Sequence, residues 1–225
     1  MAKLPINVIH VVGAGGNGSI FMTHLSRIQQ AWVKLGGQPF AIHLFDPDVV
    51  SEANLARQCF CEADIGLPKA VVLSHRLRGF FGTLVTPHVE EWPGTAYCKP
   101  DVVVGCVDNI KARRRMAKPH SRGDRYYLDL GNDDNTGQVV LGGHGLKNVF
   151  DVFPQLKKAK EKKTLPSCSM AESLSRQDLF INPTIASLGG HLLWRLMRNG
   201  GLNHHGYVVN LNEGLVLPIA VEHGS

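Results

Sequence analysis

The sequence predicts an α/β fold, a doubly wound, mostly parallel sheet with a β-rich C-terminal extension. Three observations lead there. Short apolar runs bounded by turn residues alternate with helical patterns across residues 1–145, and strand–helix alternation builds βαβ units whose strands run parallel. A glycine-rich turn joins the first strand to the first helix. From Gly137 onward the alternation stops, and two closing strands follow a long apolar helix.

Each element has a local reason. Ile6–Val12 is largely apolar, as a buried strand should be, and runs into the turn GAGGNG with Gly13, Gly15, Gly16 and Gly18. Glycine permits the positive φ of a tight turn and lets a phosphate or ribose approach the N–H groups at a helix start, which makes the sheet Rossmann-like. Ser19–Leu35 reads as a helix with Ile20, His24, Ile28 and Ala31 along one face. Ala41–Phe45 is the second strand. Pro68 suits the opening of a helix over Lys69–Phe80. Leu84–His88, Val102–Gly105 and Tyr126–Leu130 are strands, and Asn109–Ala117 is the helix after the fourth strand. Gln138–Leu141 is a further strand. Lys147–Gln177 is polar, carries the lysine-rich run Lys157–Lys163 and reads as a mobile crossing segment. Ile181–Met197 is a buried helix despite its paired glycines. Tyr207–Leu211 and Leu215–Ala220 are joined by the hairpin-like turn Asn212-Glu213-Gly214. One domain spanning 1–225 is expected, with a nucleotide-binding half (1–145), a crossover (146–177) and a closing helix and strands (178–225).

Bulk properties narrow the function classes. A 44% hydrophobic share over 225 residues supplies a real core. No apolar stretch approaches the roughly 20 residues needed to span a bilayer, and the N-terminal apolar run flows straight into the glycine turn, so neither a membrane segment nor a signal peptide is expected. Five cysteines form an odd set without a CxxC pair. That argues for a reducing, cytoplasmic setting and against a disulfide framework or a four-cysteine zinc site. The eleven histidines show no zinc spacing, and His204-His205 reads as an exposed loop pair. A net charge of +5 is mildly basic, but no basic stripe is interleaved with aromatics, so nucleic acid is not an expected partner.

The chemistry-bearing residues follow the glycine turn. Asp46, at the second strand's end, is placed to accept hydrogen bonds from ribose hydroxyls; a turn-forming role before Pro47 is the alternative, and Asp48 fits that equally well. Arg57 and Lys69 supply a planar fork and a point charge for phosphates. A dehydrogenase moving a hydride has little need of them, whereas a site that breaks a phosphoanhydride must neutralise the charge that develops. Asp108 follows an apolar strand in VVVGCVDN, where a carboxylate suits Mg²⁺ held through substrate phosphates; capping the next helix is the competing role, which Asn109 could share. Cys168, in LPSCSMAES, is a loop thiol with lysines nearby, open to activation as a thiolate or inert. Cys106 reads as core, and Cys59 and Cys61 as packing.

Taken in order, GAGGNG, FDPD (Phe45–Asp48), SEANLARQ (Ser51–Gln58), GLPK (Gly66–Lys69) and CVDN (Cys106–Asn109) resemble the motif series of the ThiF/MoeB-like superfamily, the bacterial relatives of ubiquitin-activating enzymes. The resemblance implies an adenylation domain that uses ATP and Mg²⁺ to adenylate the C-terminal glycine of a small ubiquitin-like protein, releasing pyrophosphate. It implies Asp46 on the ribose, Asn54, Arg57, Gln58 and Lys69 on the phosphate side, Asn109 beside the nucleotide, and Asp108 at magnesium. Cys168 falls where many members carry a cysteine that takes over the activated carboxylate. A homodimer is implied too. The paired CxxC zinc motifs of many members are missing, so no zinc is expected, and the helix that in relatives supplies an arginine to the partner's ATP is not expected either. Among subfamilies the chain most resembles the short ThiF-family protein of the bacterial PRTRC genetic system. Two rivals remain on the residues alone, an NAD-dependent oxidoreductase and a nucleotide-binding scaffold that has lost catalysis.

Overall fold

A computed structural model describes residues 4–94, 98–118, 125–158 and 177–221. Its strands are β1 (Val8–Val12), β2 (Ala41–Phe45), β3 (Thr86–His88), β4 (Val102–Gly105), β5 (Tyr126–Asn132), β6 (Thr136–Gly142), β7 (His204–Asn210) and β8 (Leu215–Ala220). The helices are α1 (Gly16–Lys34), α2 (Lys69–Phe81), α3 (Ile110–Ala117), the single turn α4 (Val149–Val152) and α5 (Ile181–Asn199). All eight strands join one sheet in the order β3-β2-β1-β4-β5-β6-β7-β8. Pairs from β3 through β5 are parallel, and those from β5 through β8 are antiparallel. The chain winds outward from β1 in one direction, then restarts at β4 in the other. The crevice beyond the carboxyl ends of β1 and β4 is therefore the topological switch point, where open α/β sheets bind ligands.

Two apolar layers sandwich the sheet. On one face Phe21, Met22, Leu25, Leu73, Leu128, Leu130, Ile185 and Leu193 are buried together; on the other, Val12, Phe45, Trp92, Val103, Met116 and Tyr127. The glycines inside α5 have a packing reason. A Cβ on Gly189 would come within 2.6 Å of Leu130 Cδ2, and one on Gly190 within 3.3 Å of His24 Cβ. The close approach of α5 to β5 and α1 outweighs the lower helix propensity of glycine.

Three sequence expectations shift. The first helix begins at Gly16 and buries Phe21, Met22, Leu25, Ile28 and Trp32, while Ala31 is exposed. Both the sheet and α5 need an apolar flank, and His24 faces α5, its Nε2 lying 3.1 Å from Ser187 Oγ. His204 and His205 are not a loop pair but open β7, whose start pairs with β8 through His204 and Ala220; His205 is buried, with Nδ1 at 2.9 Å from the Leu141 carbonyl. Residues 147–158 of the crossing segment contain α4 and a short 3-10 turn. Among the described residues, no helix is long and apolar enough to cross a membrane.

Candidate nucleotide site

The glycine turn is built by close backbone approach. Gly13 has φ +97°, and a Cβ on Gly18 would lie 1.9 Å from the Gly13 carbonyl oxygen. A Cβ on Gly16 would strike Asn182 of α5 at 2.6 Å. Gly15 differs, because its Cβ would meet only the Gln58 amide nitrogen, at 3.9 Å, among the described residues. Three glycines thus serve the protein's own packing, and Gly15 faces outward. The first turn of α1 contains no acidic residue and no side-chain cap, leaving N–H groups and the positive dipole end for an anion. We expect Gly18→Ala to destabilise the fold by about 3 kcal/mol in urea denaturation, although alanine is normally the better helix former. Gly15→Ala, at φ −77°, should keep the wild-type midpoint and lose nucleotide affinity in calorimetric titration.

Asp46 braces this turn from β2. Its Oδ2 accepts from the Ala14 N–H at 2.6 Å and its Oδ1 from the Asp48 N–H at 2.8 Å. Burial pushes its pKa above the ordinary carboxylate value, against the lowering effect of those two N–H groups and of Lys69. A raised folded-state pKa means the folded form holds the proton more tightly, so this contribution is present in acid and is lost as pH rises through and above the usual carboxylate range. The variant Asp46→Asn should flatten that part of the melting-temperature profile; an unchanged slope would reject the effect.

The segment between Asp46 and Lys69 closes on itself. Val49 bridges Pro68, and the Val50 N–H donates to the Leu67 carbonyl at 2.9 Å. This closure brings Lys69 back to the end of β2. Lys69 is buried, its Nζ 3.0 Å from the carboxylate of the exposed Asp48. Inside the loop, Asn54 Oδ1 accepts from the Ser51 N–H and hydroxyl at 2.9 and 3.1 Å, so Asn54 shapes the turn. Ala56 then takes φ +66°, a left-handed conformation that costs a non-glycine residue about 1 kcal/mol. The bend sets the direction of Arg57, whose Nη1 donates to Gln177 Oε1. Burial lowers the pKa of the Arg57 guanidinium. The Cys59 N–H donates to Ser19 Oγ at 3.1 Å, tying the segment to α1 beside the glycine turn.

The third wall is the turn after β4. Val107 packs on Gly13, where an added Cβ would lie 2.9 Å from Val107 Cγ1. Asn109 caps α3, its Oδ1 accepting from the Ala112 N–H at 3.0 Å. The cap is therefore taken by Asn109, and the Asp108 carboxylate stays exposed at the strand end. Below this turn Arg113 Nε and Nη2 donate to the two oxygens of Asp129 at 2.9 and 2.6 Å, and the Tyr127 hydroxyl donates to Asp129 Oδ1 at 2.7 Å.

Gly13, Gly15, Gly16, Gly18, Asp46, Gln58 and Lys69 thus adjoin the glycine turn directly or through one neighbour, with the Asp108 turn packed against it. Cys168 lies outside the described residues. Sequence reasoning passed over Asn17, whose Nδ2 donates to the Leu130 carbonyl at 3.0 Å and to Asn132 Oδ1 at 2.8 Å, linking α1 to β5. Its signal was a large polar residue set between glycines. It also passed over Gln177 and the Arg113–Asp129 pair, although a charge inside the apolar run YYLDLG was a visible anomaly. Among the described residues Asn17 Oδ1, Arg57 Nε and Gln58 Oε1 are buried without a hydrogen-bond partner. Buried polar atoms are rarely left so, and a donor and acceptor set of this kind fits a nucleotide.

A sequence profile of the ThiF family matches residues 1–201. The chain belongs to the ThiF family. No curated protein sequence matches it. Among solved structures it is similar to E. coli MccB with ATP, at 16% identity and a TM-score of 0.61 over 97% of this chain and 64% of that one. MccB with AMPCPP and MccA aligns at 16% identity and 0.61 over 97% and 65%, and PaaA at 13% and 0.64 over 96% and 64%. The ThiF-family chain thus spans a little under two-thirds of the length of each, and these likenesses establish its fold.

Proposed function

We propose that this ThiF-family chain is an ATP-dependent adenylyltransferase acting on the C-terminal glycine carboxylate of a small ubiquitin-like protein. The observation carrying this reading is the outward-facing Gly15 at a helix start with no side-chain cap, with the cations Arg57 and Lys69 both in the segment that is tied back beside it, which suits a triphosphate better than a hydride acceptor. MccB has been crystallised with ATP and with AMPCPP plus MccA, which supports a nucleotide and a small partner.

In this reading the partner's flexible tail lies across the carboxyl ends of the strands. Its carboxylate oxygen attacks the α-phosphorus, the bond to the bridging oxygen breaks, and pyrophosphate leaves with the electron pair. An ionised carboxylate needs no general base. Arg57 and Lys69 neutralise the charge that develops on the phosphates, Lys69 exchanging Asp48 for phosphate oxygens. Asp46, with lone pairs beyond those used by Ala14 and Asp48, accepts from ribose hydroxyls. Asp108 is the residue that would hold Mg²⁺, which when bound neutralises phosphate charge. The Cys168 thiolate then takes the acyl group and AMP leaves. The working form is a cytoplasmic homodimer of the PRTRC type.

The test is ATP–pyrophosphate exchange with a Gly-terminated ubiquitin-like protein. Exchange that appears only with the partner present supports the reading. Binding of NADH without binding of ATP would reverse it in favour of an oxidoreductase.

A further inference from the structure

The face of the sheet that carries Phe45 and Trp92 holds a second group of reactive side chains, apart from the phosphate site. His10 on β1 and His43 on β2 are register partners across the parallel ladder. Cys98, from the segment ahead of β4, comes over them, its Sγ 3.0 Å from His10 Nε2. One ligand atom from each of His10, His43 and Cys98 falls within 4.8 Å of the other two.

We propose that His10, His43 and Cys98 bind a zinc-class divalent cation through two imidazoles and one thiolate, with water in the fourth position. Tetrahedral zinc, with bonds of about 2.0–2.3 Å, separates its ligand atoms by roughly 3.5 Å, so small side-chain rotations suffice. Two nitrogens and a soft thiolate favour the borderline-soft zinc ion over magnesium or calcium. Burial holds the His10 pKa far below its ordinary value, at about 3, so the ring is neutral as a ligand must be. A second layer orients the site. His43 Nδ1 lies 3.0 Å from His88 Nε2, and the tautomer donating along that bond carries a lone pair on Nε2. His43 and Cys98 are each partly exposed, which provides an entry path.

Binding has a structural consequence at Trp92. The indole Nε1–H donates to His10 Nδ1 at 3.0 Å, and indole can only donate. Without metal, the His10 proton therefore sits on Nε2 and points at Cys98 Sγ. A cation on Nε2 moves that proton to Nδ1, where it would face the indole N–H head-on. Trp92 must then leave His10. The proton balance is simple: Cys98 releases its thiol proton to solvent, the His10 proton changes nitrogen, and nothing is oxidised or reduced. The paired CxxC motifs whose absence suggested no zinc belong to another kind of site, since these ligands come from three distant parts of the chain.

The test uses the full chain, stripped with a chelator and titrated with Co²⁺ and then Zn²⁺ alone. The expected result is one Co²⁺ per chain, with tetrahedral visible bands and a thiolate-to-cobalt charge-transfer band, displaced by Zn²⁺. Tryptophan fluorescence should change at the same equivalence point. Cys98→Ser should abolish the charge-transfer band and weaken Zn²⁺ binding about 100-fold, while Cys61→Ser keeps both. Trp92→Phe should remove the fluorescence change and tighten binding, because the competing donor is gone. Absence of a charge-transfer band at one equivalent, or its survival in Cys98→Ser, overturns the proposal. Neither outcome bears on adenylation, because oxygen ligands such as Asp108 give cobalt no thiolate band.

Discussion

In ATP–pyrophosphate exchange, Arg57→Ala and Asp108→Ala should each lower the rate about 10²–10³-fold, with the loss in kcat exceeding any rise in KM. Charge builds on the phosphates as pyrophosphate departs, so groups placed to meet it act most strongly in the transition state. The fold should be indifferent to both changes. Asp108 is exposed and Asn109 holds the helix cap, while Arg57 gives up a bond to Gln177. Unchanged melting temperatures alongside lost exchange would separate chemistry from folding. Arg57→Lys should also fail, because a point charge cannot replace a planar fork. The double variant should be little worse than either single one, as expected of groups acting as a unit. Exchange that survives both Arg57→Ala and Asp108→Ala would sink the adenylation reading.

The second large effect belongs to the core. Asp129→Ala should destabilise the fold by about 3–5 kcal/mol, a large share of the roughly 5–15 kcal/mol that holds a domain together. Asp129 is fully buried and is the acceptor for Arg113 and Tyr127 at once. Removing it strands a guanidinium and a hydroxyl, and an unmatched buried charge is far costlier than a missing pair. Replacing both charged ends with apolar residues, Arg113→Met with Asp129→Leu, should therefore recover the part of the loss due to the stranded charge, the Tyr127 hydroxyl alone still lacking its acceptor. Urea denaturation of the two single variants and the double one checks this, and additive losses would contradict it. The pair also anchors the first turn of α3, so Asp129→Ala should lower exchange even where the chain remains folded.

How much of this was written in the sequence depends on distance along the chain. The sheet, its switch point and the loop from Asp46 to Lys69 were legible because their signals are local: apolar runs, glycines and closely spaced motifs. The roles inside that loop were less so. Asn54 looked like a phosphate-side residue, and its oxygen is engaged in turning the backbone at Ser51. Asp108 and Asn109 competed for one cap, and only the geometry assigned it. What could not be read were contacts across the fold. Nothing in residues 10, 43 and 98 announces that they meet, and Asn182 gives no hint in sequence that it stands against Gly16. The start of α1 was misplaced by three residues because glycine is a poor helix former by propensity, whereas here packing dictates the helix from Gly16.

That last contact bears on how the protein is made. The glycine turn leaves the ribosome more than 150 residues ahead of Asn182, yet Asn182 is one of its walls, and α1 rests on α5. Every motif of the series is therefore synthesised well before the glycine turn can take its final shape. A nascent chain halted ahead of Ile181 carries all five motifs and lacks the wall that Asn182 supplies. In the adenylation reading, nucleotide binding is thus a late event of biosynthesis, switched on when the closing helix docks.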